Sequence, residues 1–62
     1  VKRQALLAHL HAHGCVLIRE GANHSWYGHA ESQRRSSVPR HKEINDLLAL
    51  KICKDLGVPK PR

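Results

Sequence analysis

Six histidines and two cysteines offer most of the chemistry in this chain of 62 residues. His9 and His13 stand four apart in a stretch of helical pattern. They share a face there and could pinch one metal ion. Two ligands do not close a site, no carboxylate at helical spacing supplies a third, and His11 points elsewhere. The three read as a solvated helical face near a helix C-terminus, where positive charge is tolerated. Cys15 and Cys53 fall at expected core positions, where thiols are inert. Gly14, Gly21, Gly28 and Gly57 are too scattered for a phosphate-cradling loop. With 5 acidic residues in all, no carboxylate pair for glycosidase or two-metal chemistry is expected. What remains is His24, in Gly21-Ala22-Asn23-His24-Ser25-Trp26-Tyr27. It sits where a turn becomes a strand, a rigid yet accessible place. A neutral imidazole can take the proton of an RNA 2′-hydroxyl, and a nearby Arg or Lys can stabilise the charge that builds on the phosphate. The plainer alternative is a structural or surface histidine.

The elements that must position these residues follow from hydrophobic spacing. Leu6, Leu7 and Leu10 form one stripe of an amphipathic helix over Lys2 to His13, and Gly14 can end it in the left-handed conformation. No good N-cap precedes this helix, so its first turn is expected to fray. Cys15 to Arg19 is short, apolar and β-branched, hence a strand. Glu20 to Asn23 is a turn, and His24 to His29 a second strand. Ala30 to Arg35 is an exposed loop, and Ser36-Ser37-Val38 a third strand that Pro39 ends. Asn45 is a credible N-cap for a helix to Leu56, with Leu48, Ile52 and Leu56 as its stripe and Ala49 and Cys53 flanking it. Gly57 and Pro59 stop it. The order is α-β-β-β-α: an α+β two-layer sandwich, a three-stranded antiparallel sheet with two helices on one face, similar in architecture to double-stranded-RNA-binding domains. Residues 1–59 are expected to form a single domain and 60–62 a disordered tail.

Composition bounds the partners. Lys plus Arg is 11, giving a formal charge of +6. That favours a polyanion: nucleic acid, an acidic protein surface or an anionic membrane. No apolar run approaches the ~20 residues of a membrane span, and there is no signal-peptide core. Two cysteines are too few for a disulfide framework. Two reduced, half-buried thiols in a cytoplasmic protein are the expectation, with a bridge from first strand to last helix as the alternative. The chain has no Met and begins at Val1, which is compatible with a clipped chain or an unusual start. A chain this size buries only ~60% of the surface its unfolded form exposes, so a partner can matter to its stability.

The same residues carry a family resemblance over Lys2 to Pro59. Gly21-Ala22-Asn23-His24-Ser25-Trp26-Tyr27 is similar to the Gly-(Ser/Asn)-His-x-x-Tyr segment of the HicA family, the toxins of HicAB toxin–antitoxin systems. Val38-Pro39-Arg40-His41 resembles that family's Val-Pro-Arg-His element, and Asn45 to Val58 its final helix. Two positions depart from the pattern: Ala22 replaces a Gly, and Leu50 stands where a basic residue is common. The resemblance implies an endoribonuclease that cleaves mRNA, a HicB-type antitoxin, no metal cofactor, and a catalytic histidine at His24.

On this reading His24 is the general base and cleavage yields a 2′,3′-cyclic phosphate. His41, after the third strand, is the first candidate for the second proton transfer. RNA positioning falls to Arg34, Arg35, Arg40 and Lys42, with Lys51 and Lys54 on the last helix. Trp26 or Tyr27 could stack on a base; the core is the favoured place for Trp26, although it shares strand parity with His24, and Tyr27 suits core and stacking equally. Two other functions fit the composition: a noncatalytic RNA-binding module, and a protein-interaction domain whose charge serves only a partner.

Overall fold

Backbone chemistry near each helix end sets the outline of the fold. The first helix, α1 (Arg3–Ala12), runs out at Gly14, and the last, α2 (Asp46–Leu56), at Gly57. Both glycines take positive φ, 84° and 74°, a conformation that costs any residue with a Cβ. Asn45 caps α2 as expected, its side chain accepting from the Leu47 N–H at 2.8 Å. Lys2 offers α1 no side-chain cap, yet the expected fraying has a counterweight. The Arg3 N–H donates to the Lys42 carbonyl at 2.8 Å, and the Ile44 N–H to that of Val1 at 2.7 Å. A long-range backbone contact thus replaces a local cap, and local sequence carries no trace of it.

Between the helices lie β1 (Cys15–Glu20), β2 (His24–His29) and β3 (Arg35–Pro39). They form one antiparallel sheet in the order β1-β2-β3. The computed structural model describes residues 1–61 and gives the expected α-β-β-β-α order. Arg62, in the expected disordered tail, lies outside the described residues. The third strand is longer than expected, taking in Arg35 and Pro39. The molecule is 16 Å along its shortest axis, the depth of one sheet and one layer of helices.

The core fills the space between those layers. Leu6 and Leu10 of α1, Cys15 and Tyr27 of the sheet, and Ile52 and Leu56 of α2 belong to one buried cluster. The stripe of α2 is rotated from the expected one. Ala49 and Cys53 are buried beside Ile52 and Leu56, while Leu48 is 37% exposed. Ala49 and Cys53 are small, so turning them inward lets the helix approach closely.

The strand aromatics sort against the expectation that Trp26 takes the core. Tyr27 is 5% exposed and belongs to the core, whereas Trp26 is 39% exposed. The helices cover the face of β2 that carries Ser25 and Tyr27, and His24 and Trp26 lie on the other. The His11 and Tyr27 rings meet at 87° with 6.0 Å between centroids. Tyr27 therefore has no free ring face for a base. Among the described residues, no helix is long and apolar enough to cross a membrane.

Cys15 and Cys53 are free thiols, both fully buried rather than half-buried. Burial pushes both pKa values up, and the neighbouring Cys15 raises that of Cys53 further. A thiol held protonated in the fold contributes stability below its ordinary pKa. That contribution is lost as pH rises, because the unfolded chain releases the proton first. Iodoacetamide at mildly alkaline pH should therefore label the folded chain slowly and the urea-unfolded chain fast. Equal rates by mass spectrometry would contradict this core.

Candidate active site

The site begins at an irregularity in β1. Cys15, Val16 and Leu17 pair in turn with His29, Gly28 and Tyr27; then Arg19, not Ile18, faces Trp26, and Glu20 faces Ser25. Ile18 is the extra residue of a β-bulge. Strand side chains alternate between faces, so one extra residue reverses the side on which all later ones emerge. Glu20 is thereby turned to the helix face, beside Ser25, and Arg19 to the open face, beside Trp26.

A polar cluster forms where Glu20 arrives. Ser25, 1% exposed, donates its hydroxyl proton to Glu20 Oε1 at 2.7 Å and accepts from Arg3 Nη2 at 2.9 Å. Arg3 Nε donates to the Pro39 carbonyl at 2.9 Å. Arg40 Nη2 donates to the same Glu20 oxygen at 2.8 Å and to the Gly21 carbonyl at 2.6 Å. Four side chains thus tie the start of α1, the end of β1, the head of β2 and the end of β3. The Ser25 hydrogen bond is the largest influence on Glu20. With the guanidinium of Arg40 and the charge of Arg3, it holds the carboxyl below its ordinary value against an opposing desolvation. Glu20 and Arg40 are about half exposed, so their ion pair adds little stability in water. Its consequence is geometric: it fixes Arg40 beside the turn.

His24 stands at the head of β2, paired with Pro39 of β3. Its carbonyl accepts from the Gly21 N–H at 2.8 Å, which closes the turn. The imidazole is exposed, on the face opposite Ser25. Ala22, Asn23, His24, Arg40 and His41 line one shallow cleft of about 320 Å³. The conflict between a buried Trp26 and an accessible His24 disappears, because the face they share is the uncovered one. A larger groove of about 720 Å³ lies elsewhere, along Trp26, Gly28 and Arg35.

The remaining basic residues are dispersed. Arg34 Nη1 lies 3.4 Å from the Lys54 carbonyl, at the C-terminal end of α2, where a cation is favoured. Lys51 pairs with Asp55 at 2.9 Å along α2. Lys42 and Lys54 are exposed, and Arg35 opens β3. Of the candidate residues, the fold brings His24, Arg40 and His41 together. Arg34, Arg35, Lys51 and Lys54 lie away from that cleft. Sequence spacing gave no hint of Arg3, Glu20 and Ser25; the signal would have been an acid directly before the turn, if the bulge had been known. His9 and His13 are near neighbours at 4.6 Å between ring centroids, but His9 Nε2 lies 2.7 Å from the Pro59 carbonyl. Among the described residues, no three potential metal ligands gather.

A basic two-layer domain with an exposed histidine and arginine in one cleft suits contact with a polyanion. Residues 3–58 match the family described as HicA toxin of bacterial toxin–antitoxin. The chain belongs to this family, and is thus the toxin member of a toxin–antitoxin pair. No curated protein and no solved structure matches it.

Ser25 is the joint of the polar cluster. Ser25→Ala should cost about 1–3 kcal/mol, because it removes two hydrogen bonds to charged groups. A carboxyl held below its ordinary pKa contributes stability above that ordinary value, and the contribution is lost as pH falls through the lowered one. Removing the hydroxyl should shrink that acid-side loss. Urea melts at neutral and acidic pH would expose the error if the variant matched the parent at both.

Proposed function

We propose that this toxin is a metal-independent endoribonuclease that acts on mRNA in the cytoplasm, with His24 as general base. The observation that carries the reading is the shared cleft of His24, Arg40 and His41 at one end of the sheet. His24 takes the proton of a 2′-hydroxyl. The 2′-oxygen attacks the adjacent phosphorus, the bond to the 5′-oxygen breaks, and a 2′,3′-cyclic phosphate forms. His41, on the same cleft, returns a proton to the departing 5′-oxygen. Arg40 meets the charge that builds on the phosphoryl oxygens. Its two bonds to the protein both use Nη2, which leaves the rest of the guanidinium fork for phosphate.

The inhibitor on this reading is a HicB-type antitoxin that covers the cleft and meets Arg40 with a carboxylate. Its binding also stabilises the small fold by mass action.

The purified chain should cut single-stranded RNA in excess EDTA, leaving cyclic-phosphate ends. His24→Ala should fold, since the ring is exposed, and should lose about 10²–10⁴-fold in rate. His41→Ala should lose less if water replaces its proton. RNA that is bound by both wild type and His24→Ala but cut by neither would identify a noncatalytic binding module instead.

A further inference from the structure

The uncovered face of the sheet is organised in cross-strand rows. One row reads Arg19, Trp26, Ser37 across β1, β2 and β3, and the next reads Val16, Gly28, Arg35. His24 begins the same side of β2, two residues before Trp26. Side chains at i, i+2 and i+4 of a strand line one face, so His24, Trp26 and Gly28 form a track about 13 Å long. A Cβ on Gly28 would lie 2.8 Å from Ile18 Cδ1. Ile18, the bulged residue, therefore lies over the bare backbone of Gly28 and gives the groove an apolar floor beside the indole. Val16 and Ile18 are each about half exposed. No carboxylate lines the groove; the bulge sends Glu20 to the opposite face.

We propose that this face is a platform for single-stranded RNA, with a base stacked on Trp26 and flanking phosphates met by Arg19 and Arg35. This rests on the ribonuclease reading and adds to it: the platform would feed the strand toward His24. An exposed indole between arginines is the arrangement that binds single strands through stacking and backbone charge. Charge also argues against a second copy as the occupant, because two faces of like sign would meet. Arg34 lines the groove but is held at the end of α2, so the proposal does not use it.

Trp26 is the only tryptophan of the chain, so its emission reports on the platform without a label. A short oligouridylate titrated into the His24→Ala protein should quench Trp26 to saturation. Trp26→Ala, in the same background, should weaken binding of dye-labelled oligouridylate by about tenfold, and Trp26→Phe should restore part of it. Arg19→Ala keeps the indole and should lower the salt slope of log affinity by about 0.7. Unchanged emission while labelled RNA binds, with Trp26→Ala as tight as its parent, would overturn the platform and leave the ribonuclease reading standing. If wild type neither binds nor cuts RNA, both fall together. Emission that shifts with protein concentration alone would assign the face to a second copy and overturn the proposal.

Discussion

One extra residue in β1 decides which side chains the two faces of the sheet receive. Without the bulge at Ile18, Arg19 would emerge on the helix face and Glu20 on the open one. In an unbroken register Glu20 would stand across from His24 on the open face, and Ser25 would lose its acceptor. Arg3 would face a buried hydroxyl with no negative charge behind it. With the bulge, Glu20 gathers Ser25 and Arg40 on one side, and Arg19 joins Trp26 on the other. The bulge needs room for the extra side chain, and Gly28 gives it, since a Cβ there would meet Ile18 Cδ1 at 2.8 Å. Bulges recur beside functional sites because they re-aim side chains without breaking the sheet.

The elements were legible because their signals are local. Gly14 and Gly57 mark helix ends through their own backbone freedom, and Asn45 caps through its own side chain. Facing was harder to read. Along His24-Ser25-Trp26-Tyr27-Gly28, hydrophobicity favours Trp26 for the core and Ser25 for solvent, and the fold does the opposite. Ser25 can be buried because Arg3 and Glu20 satisfy its hydroxyl. Those partners are 22 and 5 residues away, and Glu20 reaches it only through the bulge. A pattern of apolar and polar letters holds no record of a long-range hydrogen bond. On α2 only Leu48 was misplaced: the buried stripe turns toward its expected flank, Ala49 and Cys53, and leaves Leu48 37% exposed.

The histidines show the same limit. Helical spacing placed His9, His11 and His13 on α1 but could not say what each would meet. His9 holds the Pro59 carbonyl, and His11 sets its ring against Tyr27. His29 accepts from the N–H groups of Glu31 and Ser32 and so organises the turn after β2. Of the six histidines, only His24 and His41 line the cleft beside Arg40. The sequence resemblance pointed to His24 by motif, and the fold leaves that side chain exposed on the cleft. It sets His24 at a strand end tied down by the polar cluster on one side and open on the other.

Holding Arg40 with an exposed carboxylate suits a cation that must exchange partners. A deeply buried pair would resist exchange, because breaking it strands a charge in a poor solvent. The Glu20–Arg40 pair is half exposed, so water covers either partner when the other leaves. Arg40 is therefore positioned without being withheld, and an incoming phosphate need outcompete only a weak contact. An antitoxin carboxylate could use the same opening. On the proposed reading, substrate and inhibitor would thus compete for one guanidinium, and the inhibitor's advantage would have to come from the area it covers around that contact.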